Sequence, residues 1–374
     1  MKIALITRRY PPLIGGAEKA LSYLAAAFDR AGADVAVVVS AIPGRPIEPD
    51  PAQRPRVIRL PTSSLRFIGT YMYMSNLKKW LLNNKIDIAY VSMLKHDAYA
   101  AIGAGARAGF PVVLRPEGAG ATGDLAWQKR GRFGATIGRR CRSADAYVSI
   151  SAAIERELLA EGYDRGRIYS LPNGVPIPAI EWRPRAGGLE RPRGTFVGRL
   201  AVEKNLETLV DAWRIVLQRR PAAELTLLGE GPMRHRLEEK IRSLDMTESV
   251  RLAGGVDDPS IMLRDSDLFI LPSNEEGMSV ALLEATALGI PIVASAIPGN
   301  RAIVDDGVHG LLADPADPAK LAGAIERSLD DYEHSTRMGL AARRRAIERH
   351  SIDAVAERHL QLFQSIIDQK RKNK

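Results

Sequence analysis

The sequence predicts an α/β protein built from two doubly wound domains, each with a parallel sheet between layers of helices. Short β-branched or apolar runs alternate with segments of helical periodicity along most of the chain, which is typical of parallel sheets. A stretch from Pro172 to Pro192, rich in proline and glycine, interrupts this alternation once. The chain of 374 residues is long enough for two hydrophobic cores, one on each side of that stretch.

The first predicted domain covers residues 1–173 and contains seven strand candidates. These are Lys2–Thr7, Asp34–Val39, Arg56–Leu60, Ile86–Ser92, Pro111–Arg115, Asp145–Ile150 and Ile168–Leu171. Helical periods lie between several of them, for example at Ala17–Ala31 and Tyr71–Asn83.

Residues 174–192 are predicted as a linker, and a second domain follows at 193–348. Its strand candidates are Thr195–Gly198, Glu224–Gly229, Val250–Ala253, Asp267–Leu271, Pro291–Ser295 and Gly310–Leu312. Its helix candidates are Asn205–Arg219, Met233–Leu244, Met278–Leu288 and Pro318–Leu329. The spacing of the apolar residues in 349–374 predicts one more helix there. Ligands of such sheets bind outside the carboxyl ends of the strands, so facing domains would hold the site in the cleft between them.

Composition excludes several classes of protein. A hydrophobic fraction of 45% and a charged fraction of 26% are those of a globular chain. Every apolar run is far shorter than the ~18 residues of a membrane span, and Arg8 and Arg9 interrupt the first apolar stretch too early for a secretory signal. The single Cys141 forbids an internal disulfide and a multi-cysteine zinc site. We therefore expect a cytoplasmic protein.

The net charge of +9 is concentrated in part in residues 125–144, which contain no acid. The cations there are Lys129, Arg130, Arg132, Arg139, Arg140 and Arg142. Phe133, Ile137 and Cys141 recur at the spacing of one helix face, so we expect a helix with a basic and an apolar side. Such a helix packs on its own domain or lies on an anionic membrane, and both interpretations stay open. Nucleic acid is disfavoured because no recognition motif accompanies the charge.

The most informative motif is Glu275-Glu276-Gly277-Met278-Ser279, which follows a predicted strand and opens a helix that contains Glu284. Glu276 and Glu284 are eight positions apart, or about 12 Å along a helix axis. That separation suits one carboxylate at a sugar and one at a ribose of an extended nucleotide-sugar. The amides of Gly277, Met278 and Ser279 at the helix start suit a diphosphate. Glu284 lies among apolar helix residues, where a carboxylate needs a partner.

Two further motifs suit an anionic ligand. Arg199 and Lys204 lie in the loop between a predicted strand and a helix, where both cations could reach a diphosphate leaving group. Gly15 and Gly16 precede the first helix and allow the backbone to approach an anion closely.

Together these motifs resemble the retaining glycosyltransferases of family 4, which have the GT-B architecture of two facing Rossmann-like domains with an interdomain cleft. The resemblance covers essentially the whole chain. Further matches are Pro172-Asn173-Gly174-Val175, Gly198-Arg199, Lys204-Asn205, Gly229-Glu230-Gly231-Pro232 and Pro272-Ser273.

The resemblance implies a nucleoside-diphosphate-sugar donor in the second domain and an acceptor in the first. Glu276 would contact the donor sugar and Glu284 the ribose, while Arg199, Lys204 and the amides near Gly16, Met278 and Ser279 would hold the diphosphate. Gly231 belongs to the same donor set. The last helix would cross back to the first domain. Neither a metal nor another cofactor is expected, so Arg199 and Lys204 would supply the charge stabilisation.

The acceptor side departs from the family pattern. Many members have a histidine in the loop after the fifth strand, where this chain has Arg115-Pro116-Glu117-Gly118. We expect Glu117 to take the polar role near the reacting sugar. Arg115, Asp124 and His96 are the other acceptor-side candidates.

The expected acceptor is a glycan or a lipid-linked glycan of surface polysaccharide synthesis. Phe67, Tyr71, Lys78 and Lys79, with the 127–142 stretch, suit an acceptor at a membrane surface. The alternative is that Tyr71, Met74 and Leu77 form a buried helix stripe. A nucleotide-sugar 2-epimerase and a non-catalytic nucleotide-sugar-binding protein remain alternative functions.

Two motifs are interpreted as structural. Gly118–Gly123 matches GxGxxG but follows the fifth strand, whereas a dinucleotide fingerprint follows the first. Asp265-Ser266-Asp267 resembles a metal-binding DxD, but Asp267 begins an apolar strand, so we interpret it as a strand entry.

Overall fold

The computed structural model describes residues 1–12, 15–42, 54–185, 189–256 and 258–372. The strands among them are β1 (Lys2–Ile6), β2 (Asp34–Ser40), β3 (Arg56–Leu60), β4 (Ile88–Ser92), β5 (Val112–Arg115), β6 (Ala146–Ser149), β7 (Ile168–Ser170), β8 (Arg193–Val197), β9 (Glu224–Leu228), β10 (Val250–Gly254), β11 (Leu268–Leu271), β12 (Ile292–Ser295) and β13 (Leu311–Ala313). Each coincides with a predicted strand to within two residues at either end.

The α-helices of the described residues alternate with these strands. They are α1 (Gly16–Arg30), α2 (Arg66–Asn83), α3 (His96–Ala108), α4 (Asp124–Arg130), α5 (Gly134–Cys141), α6 (Ala152–Ala160), α7 (Leu206–Arg219), α8 (Arg234–Ser243), α9 (Ser260–Arg264), α10 (Val280–Leu288), α11 (Pro298–Arg301), α12 (Pro318–Asp330), α13 (Tyr332–His350) and α14 (Ile352–Lys372). No helix of the described part of the chain is long and apolar enough to cross a membrane.

The strands form two separate parallel sheets. The first has the order β3-β2-β1-β4-β5-β6-β7 and the second the order β10-β9-β8-β11-β12-β13, with parallel pairing between all neighbours. The order reverses direction beside β1 and beside β8, which is the doubly wound arrangement that the alternating pattern predicts. The chain therefore contains two Rossmann-like units.

The first unit contains most of residues 1–174 together with Ile352–Lys374. Its core includes alternate residues of β1 and β2 and the buried faces of α1 and α14. Phe28 of α1 meets Phe363 of α14 at a ring-centroid distance of 5.7 Å. Helix α14 is thus an integral part of this unit's core.

The second unit contains Val175–Ser351. Residues 175–185, which the sequence assigns to a linker, are packed on it. The Trp182 side chain is 2% exposed, and its indole N–H donates to the Ser266 carbonyl at 2.7 Å. Arg185 pairs with the buried Asp267 carboxylate at 2.6 Å. Asp267 therefore serves the entry into β11, as the sequence indicates.

The segment 125–144, where the sequence predicts a helix with a basic and an apolar side, is divided into two helices, α4 and α5. A Cβ on Gly134 would lie 1.9 Å from the Gln128 carbonyl oxygen, so the two helices meet in direct backbone contact that only glycine allows. Ile137 and Cys141 are buried as predicted, but Phe133 precedes α5 and is 57% exposed.

The alternative that Tyr71, Met74 and Leu77 form a buried stripe of α2 is wrong for Tyr71, which is 77% exposed. Tyr73, Leu77 and Leu81 are fully buried instead. These residues follow one another at intervals of four, so a neighbouring face of the helix enters the core.

His359 on α14 is buried in this core. Its Nε2 lies 3.1 Å from the Tyr90 hydroxyl, and its Nδ1 lies 2.8 Å from the Val355 carbonyl oxygen. Burial lowers the pKa of His359 to about 3, and the charges of Arg115 and Arg358 add to this effect. The folded protein therefore holds this imidazole neutral.

A pH dependence of stability follows. Below the ordinary histidine pKa near 6.5, the unfolded chain takes up a proton that the folded chain does not, which costs about 1.4 kcal/mol of stability per pH unit. We expect His359→Gln to gain about 2 kcal/mol relative to the wild type between pH 7.5 and pH 5. Chemical unfolding at both pH values measures this difference. A constant difference between the two proteins would show that His359 does not titrate in this way.

Candidate active site

The loops after β8, β9, β11 and β12 meet at the carboxyl edge of the second sheet, because all of these strands run parallel. Three glycines allow the loops after β8 and β9 to touch through their backbones. A Cβ on Gly229 would lie 1.8 Å from the Gly198 carbonyl oxygen, and one on Gly231 would lie 2.3 Å from that of Leu200. Gly198 and Gly229 also have φ values of 159° and 147°. Gly231 is thus required by the packing of this edge.

Lys204 and Glu276 form an ion pair at this edge. The Lys204 ammonium donates to Glu276 Oε1 at 2.5 Å, and the Ser273 hydroxyl donates to the same oxygen at 2.7 Å. The two charged side chains are only 18% and 10% exposed. Removing either partner of a pair this shielded would be costly, because the remaining charge would be left largely buried without its counter-charge.

The backbone around Lys204 is fixed by its neighbours. A short 3₁₀ turn, Val202–Lys204, ends at Asn205 in the left-handed conformation with φ 55°. The side-chain Nδ2 of Asn205 donates to the carbonyls of Pro272 at 3.2 Å and Pro315 at 2.7 Å. Asparagine tolerates this left-handed conformation, and its side-chain hydrogen bonds hold the neighbouring Lys204 against the loop that follows β11.

Helix α10 begins later than the sequence predicts. The Ser279 hydroxyl accepts from the Leu282 amide at 3.3 Å, which makes Ser279 the N-cap and Val280 the first helical residue. Gly277 and Met278 therefore lie in the loop, and the estimate of 12 Å along a continuous helix between Glu276 and Glu284 is wrong.

Glu284 lies on the second turn of α10. Most of the helix is buried, including Leu282, Leu283 and Ala285, whereas Glu284 is half-buried. It is four residues beyond the first residue of the helix, or about 6 Å along its axis. This places a carboxylate near the helix start and within an otherwise apolar segment.

Arg199 does not join the Lys204–Glu276 pair. Its guanidinium is 59% exposed and bonds Glu203 at 2.5 Å, within the same loop. Gly16 is the first residue of α1, and a Cβ there would meet open space. The structure therefore brings together Lys204 and Glu276 and leaves Arg199 on the adjacent surface.

Sequence reasoning missed the support behind Glu276. The Ser295 hydroxyl donates to the Ser273 carbonyl at 2.5 Å. The side-chain Nδ2 of the buried Asn300 donates to the Ser295 hydroxyl oxygen at 2.9 Å. A Cβ on Gly299 would lie 2.3 Å from the Glu276 carbonyl oxygen. Ser295 ends β12, and a polar residue at a strand's carboxyl end was the available signal.

A second polar network lies at the carboxyl edge of the first sheet. Arg115, at the end of β5, contacts Glu117 at 3.2 Å and donates to the Asn173 side-chain oxygen at 2.5 Å. The Ser92 hydroxyl donates to Glu117 Oε1 at 2.7 Å. Burial raises the pKa of Glu117, and the Arg115 charge opposes that shift. Ser92 was missed, although it too is a polar residue at a strand end.

Asp124 connects the loops after β4 and β5. Its carboxylate accepts from the Glu117 amide at 2.8 Å and from the Leu94 amide at 3.2 Å. Burial raises its pKa, which the charge of Lys95 and the backbone donors oppose. Asp124 therefore positions Glu117 through the backbone.

In the GxGxxG segment, a Cβ on Gly123 would lie 2.7 Å from the Gly118 carbonyl oxygen, so these glycines build a tight turn.

His96 begins α3 at the same edge. Its ring meets the Trp127 ring at a centroid distance of 5.3 Å, and Lys95 lies 5.6 Å from the centroid of the Trp127 ring. Burial and the charges of Arg8 and Lys95 lower the pKa of His96. Among the described residues, no group of three or more metal-ligating side chains is arranged to hold a metal ion.

The arrangement in the second unit can bind an anion beside a polar neutral group. The Lys204 ammonium has three donors, and one is committed to Glu276. The hydrogen bonds to Glu276 from described residues both end on Oε1, which leaves Oε2 as an acceptor for a hydroxyl. The capped start of α10 adds backbone N–H donors and the positive end of the helix dipole.

Known proteins share this chain's pattern in both units. Residues 14–177 match the family model described as Glycosyltransferase Family 4, and residues 185–345 match the one described as Glycosyl transferases group 1. Glycogen synthase of Mycobacterium tuberculosis is 28% identical over 97% of this chain and 94% of its own.

Two other relatives match part of the chain. Alpha-D-kanosaminyltransferase of Streptomyces kanamyceticus is 29% identical over 50% of this chain. Lipopolysaccharide core biosynthesis glycosyltransferase LpsE of Rhizobium meliloti is 31% identical over 45% of it. These matches span about half the length of the two relatives, 49% and 48% respectively.

Solved structures show the same fold. Sucrose-phosphate synthase from Thermosynechococcus elongatus has a TM-score of 0.82 at 22% identity, covering 98% of this chain and 99% of that one. Anabaena HepE, in complex with UDP and glucose, has a TM-score of 0.81 at 19% identity, covering 98% and 100%. Because the two family models together match residues 14–177 and 185–345, the chain belongs to the family 4 glycosyltransferases.

Proposed function

We propose that the chain transfers a sugar, with retention of configuration, from a nucleoside-diphosphate sugar to a glycan or lipid-linked glycan of a surface polysaccharide. The observation that carries the proposal is the shielded Lys204–Glu276 pair beside the capped start of α10. Relatives named for lipopolysaccharide core and amylovoran biosynthesis support the choice of acceptor class.

The donor's diphosphate binds at Lys204 and the start of α10. Lys204 keeps its bond to Glu276 and directs its remaining donors to phosphate oxygens. Arg199 turns from Glu203 to the diphosphate at little cost, because an exposed ion pair is worth only about 0–1 kcal/mol. These groups stabilise the negative charge that grows on the leaving diphosphate, so no metal or other cofactor is needed for that step.

The two glutamates have separate roles. Glu276 accepts hydrogen bonds from hydroxyls of the transferred sugar and holds its anomeric carbon in position as the glycosidic bond to the diphosphate breaks. Glu284 accepts from the ribose hydroxyls. On the acceptor side, the Arg115–Glu117–Asn173 network of the first unit supplies polar groups for the acceptor, with His96 and Asp124 shaping the surrounding loops.

UDP is the first nucleotide to test, because HepE binds it. A ligand at about 100 times its dissociation constant stabilises a protein by about 2.7 kcal/mol. We expect UDP to raise the melting temperature of the wild type, and Lys204→Met to bind UDP at least about tenfold more weakly because a charge-assisted contact is lost. Thermal shifts over a UDP titration measure both effects.

Lys240→Met is the matched control for this experiment. Lys240 pairs with Asp211 at 2.7 Å and is 23% exposed, close to the exposure of Lys204. Its variant should keep the wild-type UDP shift. Equal UDP affinity in Lys204→Met and the wild type would contradict the placement of the diphosphate, whereas a shift with GDP or ADP alone would change only the base.

The glutamate roles predict opposite results for two variants. Glu276→Gln should keep the UDP shift but lower UDP release from a UDP-sugar at least about 100-fold, since an interaction with the reacting sugar is lost. Glu284→Ala should lose the UDP shift itself. Release is measured with a panel of UDP-sugars, with and without a lipid-linked glycan extract.

Glu207→Gln, at a half-buried glutamate paired with Arg236, is the control and should resemble the wild type. If Glu276→Gln turned over normally, the sugar-binding role would be wrong. Conversion of the donor without any acceptor would instead identify an epimerase, and binding of UDP without turnover of any donor would identify a non-catalytic binding protein.

A further inference from the structure

A cluster of large apolar side chains is exposed at the start of α2. Leu65, Phe67, Ile68 and Tyr71 are 61%, 69%, 57% and 77% exposed. Exposed apolar residues elsewhere in the described chain are scattered, for example Ile180, Val202 and Ile261. We name these four residues the α2 patch. Such clustering on a folded protein marks an interaction surface, whereas single exposed apolar residues are ordinary.

The α2 patch is held in place by its surroundings. The Thr62 hydroxyl donates to the Gly69 carbonyl at 2.9 Å, and a Cβ on Gly69 would lie 2.1 Å from the Ser63 carbonyl oxygen. Arg8, which follows β1, donates to the Thr70 hydroxyl at 3.0 Å and lies 4.5 Å from the Tyr73 ring centroid. The apolar side chains therefore protrude from a packed support at the carboxyl edge of the first sheet.

The chain around the patch contains cations without acids. Residues 54–86 include Arg54, Arg56, Arg59, Arg66, Lys78, Lys79 and Lys85, and no aspartate or glutamate. Helix α2 itself has no acidic residue, and Lys78 and Lys79 on it are exposed. The patch thus lies in a positive field that its own helix does not neutralise.

The neighbouring helices extend this field. Helix α3 packs beside α2 and α5 beside α3. The acids of α3 and α4 are Asp97 and Asp124, which are 5% and 3% exposed, and α5 has none. Exposed cations on these helices are Arg107, Lys129, Arg130 and Arg139, of which Lys129 pairs with Glu161. At the start of α5, exposed Phe133 lies 5.8 Å from the Arg132 guanidinium.

We propose that this face docks on an anionic lipid bilayer, with the α2 patch inserted among the headgroups and the cations of α2 to α5 on the lipid phosphates. Acidic lipids attract clustered lysine and arginine, and apolar side chains bury at the boundary with the acyl chains. A second copy of the chain fits less well, because a two-fold contact through this face would set cations against cations. The proposal concerns a surface outside the donor site and is independent of the proposed function.

Co-sedimentation with vesicles tests the proposal on the full chain. At low salt we expect binding to vesicles of phosphatidylglycerol and phosphatidylcholine, little binding to phosphatidylcholine alone, and release as salt is raised. Phe67→Ser with Tyr71→Ser should weaken binding at least about tenfold. Lys78→Gln with Lys79→Gln should weaken it by about fivefold for each charge.

Matched variants of the second unit are the controls. Ile261→Ser with Val308→Ser removes two apolar side chains that are 60% and 53% exposed, and Arg242→Gln with Arg251→Gln removes two exposed cations. Both should bind vesicles like the wild type. A UDP-induced thermal shift equal to that of the wild type in every variant shows that the fold is kept. Absence of a UDP shift in the wild type would contradict the proposed function and would leave the vesicle result unchanged.

Three outcomes would overturn the proposal. The first is failure of the wild type to sediment with anionic vesicles at low salt. The second is undiminished binding by the α2 variants. The third is a dimer in solution that the Phe67→Ser and Tyr71→Ser pair dissociates without any vesicle binding, which would make this face an interface between copies.

Discussion

Parallel strand pairing is the constraint on which the rest of this molecule depends. In each sheet every strand ends at the same edge, so loops that are far apart in sequence meet there. In the second unit this brings Lys204, which follows β8, against Glu276, which follows β11, although 72 positions separate them. In the first unit it brings Arg115 against Asn173 across 58 positions. Polar chemistry collects at these edges because the strands themselves are buried on both faces.

The Lys204–Glu276 pair connects the loops after β8 and β11 at this edge. Removing one partner of a shielded ion pair typically costs about 3–5 kcal/mol, because the other charge stays unpaired in a poor solvent. The surrounding residues therefore hold the pair together: Ser273 on the carboxylate, and Asn205 behind the lysine. The same arrangement leaves Lys204 with unused donors. In the proposed function, the same contact serves as a preorganised anion site, so that binding need not assemble it.

The sequence predicted the strands well and the helix breaks poorly, for different physical reasons. Buried parallel strands read as apolar runs whatever their neighbours are. The break between α4 and α5 depends on Gly134 meeting the Gln128 backbone six residues earlier, a contact that the apolar periodicity of the segment does not register. Tyr71 was ambiguous for the same reason, since aromatic spacing suits a core as well as an exposed patch. The proline-rich stretch was taken for a linker because nothing local reveals that Trp182 is buried on the second unit.

Motifs identified the members of the candidate site better than their partners. Glu276 and Lys204 stand out because of the motifs that contain them, but their pairing depends on the sheet order. Ser92, Ser295 and Asn300 carry ordinary side chains, and their importance comes from lying behind a buried carboxylate. Glu117 shows the consequence most clearly. Burial raises its pKa and the charges of Asp124 and Glu18 add to this shift, while Arg115 and the Ser92 hydroxyl oppose it. The sequence shows a glutamate shortly after β5, but its surroundings depend on Ser92, which lies 25 positions earlier and comes beside it because β4 and β5 are neighbours in the sheet.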